Sequence, residues 1–224
     1  MKKIHQRQQG FTLIEMIVSL AVFSVVVTIA VGALLSLIAT NLQLQAEQSV
    51  MTNLSFALDS MTREIRTGTN YYCDNKNSAT GNKNIYNGDK DLDSILEVND
   101  TKNCPFGKGE NTVFNGVAFI ESGESITGDT GKRILYYFDK DEKSIYRRIG
   151  SQKAQSIISS GIEIDDAEFF VSGSDRLADA LGNLDGYVDQ PSVTIFIEAH
   201  EKSDTLPTKT YRIQTTVTQR TLDI

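Results

Sequence analysis

Glu15 is the residue in this sequence that most needs a chemical explanation. It sits inside the stretch GFTLIEMIVSL, at the head of an apolar run that reaches about Ala39, and Met16–Ala39 are 24 residues without a charge. A carboxylate in apolar surroundings is costly unless a cation or hydrogen-bond donor meets it, so an acid here is a functional position lacking its partner. Other chemistry-bearing residues are few. Cys73 and Cys104 both lie in a polar region. A lone pair in an exported chain favours a disulfide over a metal site, which would want closer spacing and more ligands. Asp89, Asp91 and Asp93 alternate, with Glu97 and Asp100 beyond, and offer hard oxygen donors for calcium. The pattern departs from an EF-hand, because Ser94 stands at the turn-glycine position and Asp100 replaces the bidentate glutamate. Asp185 and Asp189 bracket a second, shorter candidate. Solvated acidic turns are the plainer reading of both. His5 and His200 are the only histidines, and His200 reads as a surface side chain near a strand end. No GxSxG elbow, P-loop or HExxH is present, so neither an enzyme nor a required cofactor is expected.

The elements around Glu15 are legible. Lys2, Lys3 and Arg7 precede Gly10 with no acid among them, and the remaining chain carries 19 basic against 29 acidic residues. Such an acidic body has no general attraction for nucleic acid. The charge-free run would span roughly 36 Å as a helix, enough for a hydrocarbon core of about 30 Å. Positive charge ahead of it predicts a cytoplasmic N-terminus and an extracytoplasmic body. A cleavable secretory signal would have a shorter apolar core ending at a small-x-small site, whereas Ala30-Val31-Gly32 is followed by more apolar residues. A plain signal anchor explains length and orientation but leaves Glu15 unexplained.

Gly10-Phe11-Thr12-Leu13-Ile14-Glu15, behind a short basic leader and ahead of an apolar helix, resembles the processing site of type IV prepilins, the class III signal shared by pilins and pseudopilins. The resemblance implies cleavage between Gly10 and Phe11 by a membrane-embedded prepilin peptidase, N-methylation of the new Phe11 amine, and assembly of mature subunits into a helical filament. Glu15 then lies one helical turn, about 6 Å, from the liberated amine. The amine of an entering subunit can face Glu15 of a neighbour, and two opposite charges neutralise one another where either alone would be costly. Gly10 lets the scissile peptide approach a protease closely.

Beyond the apolar run, Val50, Leu54, Leu58, Met61 and Ile65 recur at helical spacing, and no proline interrupts. One helix is expected over 11–67, membrane-spanning over about 11–39 and an amphipathic spine over about 40–67, with Gly68 closing it as a left-handed cap. Residues 68–112 read as a polar loop region that Cys73 and Cys104 could close, with a short strand at Ser94–Val98. From 113 to 224 the period changes to two. ILYYF and SIYRR form a hairpin across Asp139–Glu142, and GIEIDDAEFFV, PSVTIFIEAH and YRIQTTVTQR supply further strands. Nothing alternates as βαβ. The fold class is therefore α+β, a long N-terminal helix packed on a mostly antiparallel sheet.

The order of these strands resembles the C-terminal half of J-type minor pseudopilins of type II secretion and W-type minor pilins. It includes a hairpin ending in the aromatic-Arg pair Tyr146-Arg147 and a strand pair led by Pro191. The resemblance implies a minor filament subunit made in the inner membrane and passed to a pilus or pseudopilus. Its partners would be prepilin peptidase, other pilin-type subunits, an inner-membrane assembly platform and, before assembly, lipid. The alternatives are a binding module displayed on such a filament and a signal-anchored surface protein that never polymerises.

Overall fold

The computed structural model describes residues 10–74, 85–86, 96, 102–104, 114–121, 132–174, 190–202 and 209–220. Two compact units divide the chain, residues 1–48 and 49–224.

The first unit is helical. Helix α1 (Leu13–Thr67) starts within two residues of the expected point, and by length and composition it could cross a membrane. Every residue from Gly10 to Gln45 is exposed. The hydroxyls of Ser19, Ser24, Thr28 and Thr40 each donate to the carbonyl four residues earlier, at 2.7–3.0 Å. Those polar groups are thus satisfied within the helix, as an apolar environment requires.

In the second unit, the last five or so turns of α1 bury Val50, Leu54, Ala57, Leu58, Met61 and Ile65. These are the stripe predicted from spacing, joined by one alanine. They enter one core with the inner faces of two sheets. The first sheet has five strands in chain order: β1 (Thr69–Asp74), β2 (Gly116–Ile120), β3 (Arg133–Asp139), β4 (Ser144–Ile149) and β5 (Gln155–Ser156). The second orders β6 (Ile162–Ser172), β7 (Ser192–Glu201) and β8 (Tyr211–Thr218). All neighbouring strands in both are antiparallel. Alternation decides the faces: along β7, Val193, Ile195, Ile197 and Ala199 are buried, and the residues between them are half-buried.

The expected hairpin is present, pairing Asp139 with Ser144 across a turn in which the Asp139 carboxylate accepts the Asp141 N–H at 3.0 Å. Three expectations need correction. The single sheet is two, because β6 leaves the first sheet and pairs along its length with β7. The segment read as a polar loop over 68–112 contributes β1, whose Tyr71, Tyr72 and Cys73 are buried, so sheet structure begins at Thr69 rather than near 113. Gly68 is not a left-handed cap, since the described glycines with positive φ are Gly150 and Gly173. It is needed for space: a Cβ there would lie 2.4 Å from Cδ2 of Phe119. The left-handed residue is Asn70, at φ 53°. Other groups close the helix end, with the Tyr71 hydroxyl 2.6 Å from the Ile65 carbonyl oxygen and 2.7 Å from that of Gly68. The Arg220 N–H donates to the Arg66 carbonyl at 2.7 Å, satisfying another terminal acceptor. The strand expected over 94–98 lies outside the described residues apart from Leu96.

Candidate processing and assembly site

The N-terminal motif forms a helix start. Thr12 precedes α1, and its hydroxyl accepts the Glu15 N–H at 3.4 Å. Thr12-x-x-Glu15 has the spacing of a capping box, a helix-start signal that the sequence carries within the same motif. One half of the box is made. The Glu15 carboxylate accepts no hydrogen bond and has no cation within ion-pair distance among the described residues, so it faces outward from the first turn. Gly10 is exposed, and a Cβ added there would touch nothing within 4 Å. The chain's own fold therefore does not demand glycine at that position. Phe11 is 77 % exposed. Gly10, Phe11 and the Glu15 side chain are thus all exposed in the described residues.

A second group of residues fastens the spine to the β domain. Glu64, on the last turn but one of α1, receives a bidentate contact from Arg147 on β4, with Nε at 3.0 Å and Nη2 at 2.8 Å. The Tyr136 hydroxyl on β3 donates to the same carboxylate at 2.7 Å. Arg147 is half of the aromatic-Arg pair singled out in the sequence, but its partner 83 residues away carried no local signal. Burial and then the Glu64 hydrogen bond hold the Tyr136 phenol above its ordinary value. For Arg147, burial works against the charge, and the contacts to Glu64 outweigh it, so the guanidinium is held more firmly protonated than usual.

Cys73 and Cys104 form a disulfide with Cα atoms 6.1 Å apart. Its position says what it is for. Cys73 is in β1 of the first sheet, while Cys104 exchanges backbone hydrogen bonds with Val171 of β6 at 2.8 and 3.0 Å. Lys102 N–H donates to the Tyr71 carbonyl at 3.0 Å, so residues 102–104 bridge the two sheets and the disulfide locks that bridge.

His200 differs from expectation. Its side chain is mostly covered, and Nδ1 lies 2.8 Å from Oδ2 of Asp165, with Glu163 held by Lys143 at 2.7 Å beside it. Among the described residues no group of three or more His, Cys, Asp or Glu is placed to hold a metal ion. The calcium candidates Asp89, Asp91 and Asp93, their neighbours Glu97 and Asp100, and Asp185 and Asp189 lie outside the described residues.

Residues 5–31 match the family model described as the prokaryotic N-terminal methylation motif. No curated protein and no solved structure matches the chain. The N-terminus therefore carries a type IV prepilin-like signal, which implies processing by a prepilin peptidase and partners of the pilin type. The α+β architecture, a long N-terminal helix whose C-terminal turns pack on antiparallel sheet, is consistent with the pilin-like fold. The apolar helix and signal together are consistent with a single-pass membrane-anchored protein.

Proposed function

We propose that the protein is a minor pilin or pseudopilin of the J or W type, cleaved between Gly10 and Phe11 and built into a type IV pilus-like or type II secretion filament. Its role is structural, with no catalysis and no cofactor. Phe11 supplies the methylated amine, Glu15 the acceptor, the helix to about Ala39 the assembly core, and the β domain the surface that neighbouring subunits recognise. One observation carries the reading: in a helical run where the hydroxyls of Ser19, Ser24 and Thr28 are bonded to the helix's own carbonyls, Glu15 is the one charged side chain, it is exposed, and among the described residues nothing pairs with it. A cation from a neighbouring chain would meet that need in an apolar setting.

The test is expression beside a prepilin peptidase with N-terminal sequencing and filament fractionation. Wild-type protein yields methyl-Phe11. Gly10→Val stays as uncut precursor in the membrane fraction, although nothing in the chain's own fold opposes a larger side chain there. Glu15→Val is cut but enters filaments poorly. Normal incorporation of Glu15→Val would defeat the charge-pairing account, and material retaining Met1 would defeat processing altogether.

A further inference from the structure

Strand β8 ends the second sheet, and among the described residues no strand pairs with its far side. The Gln219 N–H donates to the Pro191 carbonyl at 2.8 Å, next in register after Ser192↔Thr218. In an antiparallel ladder backbone groups alternate in direction, so odd-numbered residues of β8 bond to β7 and even-numbered ones point away. Arg220 confirms the alternation, because its N–H reaches away from β7 to Arg66. The outward N–H and carbonyl groups of Arg212, Gln214, Thr216 and Thr218 have no partner among the described residues. The register of β8 on β7 runs unbroken from Tyr211 to Thr218, and the strand carries no proline or bulge; its one charged residue, Arg212, is held by Glu198 of β7. An edge that is flat and guarded only by a charge already paired within the sheet remains a template for strand pairing.

Side chains of partial burial lie on both faces of this edge. On the inner face Tyr211 and Ile213 pack on the core yet stay half-buried at its margin. On the outer face a depression is lined by Glu168, Phe170, Thr194, Phe196 and Gln214. Register places Glu168, Phe196 and Gln214 in one row across β6, β7 and β8. Glu168 has no ion pair among the described residues, whereas Glu198, one row along, is held by Arg212 at 2.9 Å. Burial and then the Asp166 charge hold Glu168 above the usual carboxylate value, with Lys140 opposing them, so an added cation would relieve an existing cost.

We propose that the open edge of β8 and the depression beside it form a strand-acceptor site for an extended segment of another polypeptide. That segment carries apolar residues on its inner face, extending the cover over Tyr211 and Ile213. On its outer face it carries a long basic side chain that passes Gln214 to the Phe196 ring, where the Glu168 carboxylate on the far side of that ring attracts it through space rather than by direct contact. Backbone bonds supply affinity in such pairing, and the alternate side chains supply selectivity.

The test uses the full chain in detergent micelles and a fluorescein-labelled, end-blocked heptapeptide alternating valine with arginine or threonine, read by fluorescence anisotropy. The wild type is expected to bind it. Replacing arginine by glutamate in the peptide, or N-methylating the amides that face β8, should weaken binding at least tenfold. Thr216→Pro should do the same while the β7 ladder survives, because it removes only an outward N–H. Glu168→Gln should weaken binding about fivefold. The N-methylated peptide probes the same bonds without altering the protein, so the test stands even if the proline variant misfolds. Absence of wild-type binding, or equal binding of the N-methylated or glutamate peptide, overturns the proposal. Peptide-free self-association that Thr216→Pro abolishes would give the edge to a second copy and likewise overturn it.

Discussion

Removing the Arg147 guanidinium tests the fastening of spine to sheet. In Arg147→Met the aliphatic volume is nearly kept, while Glu64 loses both short contacts and keeps only the Tyr136 hydroxyl. The side chains of Arg147 and Glu64 are 26 % and 28 % exposed, which sets the scale. Fully exposed pairs contribute about 0.2–1 kcal/mol, and breaking a buried one costs about 3–5 kcal/mol. A bidentate pair about three-quarters covered falls between, at about 2 kcal/mol. For a folded unit of this size each kcal/mol moves the melting temperature by about 2–4 °C, so a fall of roughly 4–8 °C is expected. The assay is thermal unfolding of the full chain in detergent, repeated for Glu64→Gln and the double variant. A coupling energy of about 1–2 kcal/mol is expected from the cycle, changing little between low and moderate salt. A melting change under 1 °C with coupling near zero would falsify the view that this carboxylate anchors the spine.

Buried phenols make the protein alkali-sensitive: burial raises Tyr71, burial and then Asp74 raise Tyr86, and burial and then Glu64 raise Tyr136. Groups raised in the folded state lend full stability below their unfolded value near 10 and lose it as pH rises, at about 1.4 kcal/mol per pH unit each. Urea midpoints should therefore drop steeply above pH 10, while the phenolate absorbance at 295 nm of these three phenols, out of eight tyrosines in the chain, appears only on unfolding; titration of all the phenols in folded protein would contradict this. Reducing the Cys73–Cys104 disulfide, which spans 31 residues, should lower stability by about 3–4 kcal/mol in the chain-entropy account, read by melting with and without reductant. Gly68→Ala drives a methyl into the Phe119 ring and should cost about 1–3 kcal/mol, with Gly68→Ala/Phe119→Leu recovering part of it. A neutral Gly68→Ala would show that the ring moves freely.

Much of this architecture could be read from spacing. The helix is legible because its apolar residues recur at the helical period, and sequence and structure agree on its end at Thr67, although Gly68 serves there for space and not as a left-handed cap. Left-handed caps are the common use of glycine at helix ends. Here the glycine answers to Phe119, a residue 51 positions away, and no local pattern announces that. Strand β1 is not legible in the sequence because TNYYCD lacks alternation: four of its six residues are buried in succession, between the helix and a second small cluster containing Ile85 and Leu96. The outer-face depression has no signal in the sequence because Glu168, Phe196 and Gln214 belong to three strands and meet only through register.

By itself the amino-acid order determined the chain's local periods and their chemical exceptions: an apolar helix with one acid, an amphipathic continuation, and strands of alternating face. It also set the peptide bond and acid that a processing enzyme and neighbouring subunits would read, because those lie within six residues and need no folding to be recognised. Tertiary structure alone decided which sheet each strand joined, that a disulfide locks the bridge between them, and that Arg147 meets Glu64. These depend on which buried faces come together and in what register. That is a global optimum of packing and hydrogen bonding, which no short window of sequence contains.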